Sequence, residues 1–92
     1  MLIGTLEVRL ILRQARTLKD KRQVVSSIKD KLHDRFNISV AEIEAQEMPQ
    51  TAVLGIAMVS NEADHLRKAL GEIVNALRSH PVAELASYEI DV

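Results

Sequence analysis

Between Leu2 and Leu12 the even-numbered residues Leu2, Leu6, Val8, Leu10 and Leu12 are apolar, and Thr5, Glu7, Arg9 and Arg13 alternate with them. Side chains repeat every second residue only in an extended chain, so this stretch predicts a strand with one buried face. Ile3 and Ile11 interrupt its polar side. At Thr17 the period changes. Val25, Ile28 and Leu32 recur at three- and four-residue steps, the spacing of one helix face, and Phe36 lies where that helix should end. Thr17 can cap the helix with its hydroxyl, and Asp20 at the third helical position completes a capping-box pattern.

The remaining periods complete the order of elements. Asn37 to Gln46 predicts a second strand, but its apolar parity slips from Ile38 and Val40 to Ile43 and Ala45, which predicts a bulge near Glu42. Pro49 belongs to the following turn. Thr51 to Ser60 is apolar on both faces, with Ala52, Leu54, Ile56 and Met58 against Val53, Gly55, Ala57 and Val59, and suits a central strand. Ser60 and Asn61 should open a second helix with the stripe Leu66, Leu70, Ile73 and Leu77, which Pro81 stops. Val82 to Val92 predicts a fourth strand, with Ala86, Tyr88, Ile90 and Val92 on one side. Strand, helix, strand, strand, helix, strand is an α+β pattern. It predicts a ferredoxin-like βαββαβ sandwich, a four-stranded antiparallel sheet with both helices on one face.

With 92 residues, 47% of them hydrophobic, the chain suits one domain, 1–92, around one core. That core should contain Leu6, Val8, Leu10, Val25, Ile28, Leu32, Leu54, Ile56, Leu66, Leu70 and Ile73. So small a domain has modest stability, which association with a second copy would raise. There is no Cys, which excludes disulfides, thiolate metal sites and cysteine nucleophiles. Met1 to Leu6 lacks a basic leader and a cleavage site, and no apolar run reaches the length of a membrane span; a cytoplasmic protein with no membrane partner is expected. The net charge of −1 hides an asymmetry. Residues 1–36 hold nine Lys and Arg against four acids, a net +5, whereas residues 37–92 hold three against nine, a net −6.

Three segments carry a family resemblance. Thr17-Leu18-Lys19-Asp20-Lys21-Arg22-Gln23-Val24-Val25, Phe36-Asn37-Ile38-Ser39-Val40-Ala41-Glu42 and Val59-Ser60-Asn61 resemble the YlxP-like group of small bacterial proteins, a domain of unknown function. Thr17 stands where Ser is expected in many relatives, a change that preserves the cap. The resemblance implies a ferredoxin-like fold, and a gene neighbourhood of translation initiation and ribosome maturation factors. It implies no activity.

Catalytic chemistry finds little support in the residues. An acylphosphatase-like enzyme would wrap a Gly-rich loop around phosphate after the first strand, but that connection is Arg13-Gln14-Ala15-Arg16. Glu42 and Glu44 should share one face of an exposed strand, both solvated. His33, His65 and His80 lack the spacing that aims two imidazoles at one ion. No catalytic residue, cofactor or metal is therefore expected, with the acylphosphatase-like enzyme kept as the remotest alternative.

The cations of the first helix are the candidate site. Lys19, Lys21 and Arg22 crowd its first turn, where the helix dipole disfavours positive charge. Free N–H groups and cations at a helix start could together hold a phosphate, a carboxylate or an acidic partner. Lys19, Arg22, Ser26, Lys29 and His33 form one stripe, which Arg13 and Arg16 extend into the preceding loop, so these cations are candidate contacts to RNA or another anion. Base stacking is not expected, because Phe36 and Tyr88 lie outside the predicted central strands. Lys21 instead shares the line of Val25, Ile28 and Leu32, and should form a structural ion pair with Glu44, Glu47 or Glu84. The open sheet face, with Ile3, Ile11, Val53, Ala57 and Val59 and with Ile43 depending on the bulge, is the candidate dimer face. The expectation is a homodimer that binds RNA or a ribosomal assembly through the stripe. The alternative is a protein–protein or structural module without nucleic acid.

Overall fold

A computed structural model describes residues 1–92. Its elements run β1 (Leu2–Ile11), α1 (Leu18–Arg35), β2 (Ser39–Glu44), β3 (Thr51–Ser60), α2 (Ala63–Arg78) and β4 (Glu84–Asp91). The four strands form one antiparallel sheet in the order β2-β3-β1-β4. Leu6, Val8 and Leu10 of β1 stand opposite Ile56, Leu54 and Ala52 of β3. These inward rows join the stripes of both helices in a single cluster of 19 buried residues. Both helices therefore cover one face, as in the ferredoxin-like sandwich, and every residue of the expected core lies in that cluster.

Gly4 occupies the one even position of β1 without a side chain. A Cβ there would lie 3.1 Å from Leu70 Cδ1 and 3.3 Å from Leu66 Cβ, so the glycine lets α2 settle directly on β1. α2 buries a broad stripe of Leu66, Ala69, Leu70, Ile73, Val74 and Leu77. α1 buries only Lys21, Val25, Ile28 and Leu32. This narrow seam leaves most of the circumference of α1 in solvent.

Two bulges decide which side chains face which way. On β2, Glu42 pairs with Leu54 and Glu44 with Val53, so Ile43 is the extra residue. Glu42 keeps the inward parity of Val40, while Glu44 turns to the open face. The expectation that the two glutamates share an exposed face is thus corrected: an inserted residue puts them on opposite sides. On β4, Arg9 pairs with Ser87 and Leu10 with Leu85, leaving Ala86 as the extra residue. Tyr88 and Ile90 keep the parity of Val8 and Leu6, but Ala86 leaves the side expected of it, and Leu85 packs on the core.

Three boundaries move for local reasons. β2 is shorter than Asn37 to Gln46, because Phe36 is still the extended C-cap of α1 and Ala45 takes a left-handed φ of 58° that ends the strand. α2 begins at Ala63, with Glu62 at its cap making no side-chain bond. Ser60 Oγ instead accepts from the Glu62 N–H at 3.1 Å, shaping the turn that leads into the helix. β4 begins two residues after Val82, because His80 Nδ1 accepts from the N–H groups of Val82 and Ala83 at 3.1 and 3.0 Å and holds that corner.

Candidate functional site

The start of α1 is locked from inside by Lys21, whose side chain is 1% exposed. Its Nζ donates to the carbonyl oxygens of Ala45 at 2.8 Å, Gln46 at 3.2 Å and Thr51 at 3.2 Å. Glu42 Oε2 stands 2.7 Å away. The carbonyls use all three ammonium hydrogens, so the carboxylate meets Nζ as an ion pair without hydrogen-bond alignment, and Oε2 accepts no other donor. The partner is therefore Glu42, in place of Glu44, Glu47 or Glu84. Glu44 is drawn to Arg9 on the open face at 3.6 Å, and Glu84 to Arg13 at 2.9 Å. The left-handed turn at Ala45 brings the β2–β3 loop carbonyls onto the ammonium, so one side chain ties α1 to that loop.

The helix cap is closed as well. Thr17 Oγ1 accepts from the Asp20 N–H, and Asp20 Oδ2 accepts from the N–H groups of Arg16 and Thr17 at 2.9 and 3.2 Å. The Arg16 N–H bond, opposed by partial desolvation and helped by Thr17, holds the Asp20 carboxyl below its ordinary range. A carboxylate thus occupies the place where an incoming anion would meet the cap N–H groups. The helix end is corrected as an anion pocket, and what remains is the side-chain surface.

On that surface Lys19 and Arg22 are exposed and Lys29 is half-buried, and none of the three has a carboxylate within 4.0 Å. Lys19 and Arg22 border a shallow concavity with Gln23, Ser26, Ser27, Asp30 and Lys31. Lys19 and Lys29 stand ten residues apart, about 15 Å along the axis. His33 is exposed at the far end. Arg16 is exposed in the loop. Arg13 does not extend the stripe, because its Nε donates to Glu84 Oε2 and its backbone oxygen accepts from Gln50 Nε2.

The candidate dimer face divides. Ile3 and Val59 are exposed, and Ile11 and Ala57 are half-buried. Val53 is only 1% exposed, which corrects its place among accessible contacts: it lies in register between Arg9 and Glu44, whose ion pair spans it. Ile43 is exposed and lies over Gly55, where a Cβ would come 3.0 Å from Ile43 Cγ2. Neither aromatic lies on this face. Phe36 and Tyr88 are each stacked by a neighbouring guanidinium, from Arg35 and Arg78 at 5.1 and 5.5 Å from the ring centroids.

Two groups are not placed by the sequence pattern. Glu42 faces inward because the inserted residue is Ile43 and not Glu42 itself, a one-position difference that parity alone does not resolve. His80 is a structural acceptor, and the signal for it was its place between the end of α2 and Pro81. Burial, and then the positive charge of Lys31, push its imidazole below the ordinary value of 6.5. No group of three or more His, Asp or Glu side chains is arranged to hold a metal ion. No helix is long and apolar enough to cross a membrane.

Residues 3–90 match the family described as "Protein of unknown function (DUF503)". The uncharacterized protein YlxP of Bacillus subtilis (strain 168) is 34% identical over 83 residues, covering 90% of each chain. Among solved structures, a de novo designed protein with ferredoxin fold superposes with a TM-score of 0.61 at 16% identity, over all of this chain and 87% of that one.

Proposed function

The chain belongs to the DUF503 family of proteins of unknown function, and we propose that it acts by binding RNA, in the setting of a ribosomal assembly, through the outward face of α1. The observation that carries this is the set Lys19, Arg22 and Lys29, three cations on one helix face with no carboxylate partner. Around Lys19 and Arg22 lie Gln23, Ser26 and Ser27, side chains of a kind that hydrogen-bonds to phosphate and sugar, and Asp30 and Lys31 complete the concavity with charges that offset each other. The Lys21 lock presents this face on a fixed helix. Electrostatic contact to the backbone suits a molecule whose two aromatics are already stacked by arginines and lie off the open face. The gene neighbourhood that the YlxP-like resemblance implies points to ribosomal RNA. Binding is favoured over catalysis because the β1–α1 connection has no Gly, its Arg13 is paired, and the helix cap is filled by Asp20.

Fluorescence anisotropy with ribosomal RNA fragments and with small ribosomal subunits, over a salt series, tests the proposal. Affinity should fall with salt, and replacing Lys19, Arg22 and Lys29 together by Ala should reduce the slope of log K against log salt by roughly 2 to 3. Absence of salt-sensitive binding at low ionic strength, or binding that survives the triple replacement unchanged, would overturn it. An acidic protein would then be the partner to seek.

A further inference from the structure

Strand register sets the side chains of the open sheet face in rows about 7 Å apart. One end is apolar, with the exposed Ile3 and Val59 side by side. The next row sets Asp91 beside Thr5 and Ala57, and the row after it sets Glu89 beside Glu7 and Gly55. Glu7 and Glu89 oppose each other directly on neighbouring strands, and like charges so placed weaken the pairing. Together with Asp91 they are exposed, and no Lys or Arg stands within 4.0 Å of any of them. The cations that share this face, Arg9 and Arg13, are already drawn to Glu44 and Glu84 at 3.6 and 2.9 Å. The face is therefore negative, with no side-chain cation left over to balance it.

Its relief suits a chain laid across it. Thr5, Gly55 and Ala57 form a low floor between the acids of β1 and β4 on one side and Ile43 on the other, in a concavity of about 550 Å³. Uncompensated carboxylates repel RNA and anionic membrane surfaces, and a second copy laid face to face would set acid on acid. A cationic polypeptide is the complementary occupant. An extended chain turns every second side chain to the same side, also about 7 Å apart, which matches the spacing of the rows. We propose that the open sheet face docks a basic segment of another protein in extended form, with cations at alternate positions over Glu7–Glu89 and Asp91 and an apolar side chain over Ile3 and Val59.

This contact is independent of the proposed RNA contact, since α1 lies on the opposite side of the sheet. The charge asymmetry of the sequence gains a spatial meaning from it. The basic surface is on α1 and the acidic one on the open face, so a single domain can hold an anionic and a cationic partner at once.

Amide chemical-shift mapping by NMR tests the proposal with a blocked seven-residue peptide carrying Arg at its second and fourth positions, Val at its sixth and Ser elsewhere. Shifts should concentrate on Thr5, Gly55, Ala57 and Glu89, and the affinity should fall as salt is raised. Glu7→Gln combined with Glu89→Gln relieves the like-charge opposition, so the variant folds, and it should bind the peptide about tenfold more weakly. A peptide of the same composition with its two Arg adjacent turns one of them away from the sheet and should bind several-fold more weakly. The Lys19, Arg22 and Lys29 triple Ala variant should show the same shifted residues as wild type, which separates this surface from the RNA reading. Absence of binding at low salt, shifts that lie off this face, or equal affinity for the double Gln variant would overturn the proposal. Equal affinity for the two peptides would overturn the extended register. Shifts of the same residues on raising protein concentration without peptide would make a second copy the occupant, and would overturn it too.

Discussion

Replacing Lys21 by Met keeps the aliphatic stem and its volume while removing the ammonium, so the change isolates the buried charge. Three carbonyl oxygens at 2.8 to 3.2 Å then lose their donor, and the Glu42 carboxylate at 2.7 Å loses its counter-charge. Breaking one side of a buried ion pair costs about 3 to 5 kcal/mol. Glu42 keeps 19% of its side chain exposed and can be hydrated, which favours the lower end, about 3 kcal/mol. A domain of this length is stable by roughly 5 to 14 kcal/mol, so the loss is a substantial fraction of the whole. Urea unfolding followed by circular dichroism should show it, together with a fall in Tm of about 12 to 24 °C. Glu42→Gln leaves the three carbonyl bonds in place and should cost less. The double replacement Lys21→Met with Glu42→Leu should be at least 1 kcal/mol milder than the sum of the singles. A loss below about 1 kcal/mol for Lys21→Met would refute the reasoning, because it would mean that desolvating the ammonium cancels everything its four partners return.

Ala45→Gly removes the strain of a left-handed alanine and should raise stability by up to about 1 kcal/mol in the same urea assay; a clear decrease would contradict a strained φ at that residue. Gly4→Ala drives a methyl against Leu66 Cβ and Leu70 Cδ1 and should cost about 1 kcal/mol net, read as a lower urea midpoint. His80 binds protons less readily folded than unfolded, so its contribution is complete above pH 6.5 and is lost as pH falls through the lowered folded value. The stability difference between wild type and His80→Ala should accordingly shrink on acidification across that window, and a difference constant with pH would dismiss the acceptor role. The lowered Asp20 carboxyl acts with the same sign at lower pH: Asp20→Asn should flatten the loss of Tm below the ordinary carboxylate range, near 3.8.

Local periodicity carried most of the fold, because burial of one face leaves a mark on every second or every third-and-fourth residue. β1, the stripes of both helices and the Thr17–Asp20 capping box were legible from residue spacing. The inward direction of Lys21 was legible too, since it shares the line of Val25, Ile28 and Leu32. Its partner was not. One inserted residue, Ile43, separates Glu42 from Glu44 and sends them to opposite faces, and its position follows from how β2 docks on β3 rather than from β2 alone. Val53 shows the same limit: its parity puts it on the open face, but only the meeting of Arg9 from β1 with Glu44 from β2 covers it. The sequence by itself determined which elements form and which residues they bury, since those depend on neighbours a few positions away. Tertiary structure alone decided which charges are paired, covered or left free, because strand register and bulges set those distances between residues tens of positions apart.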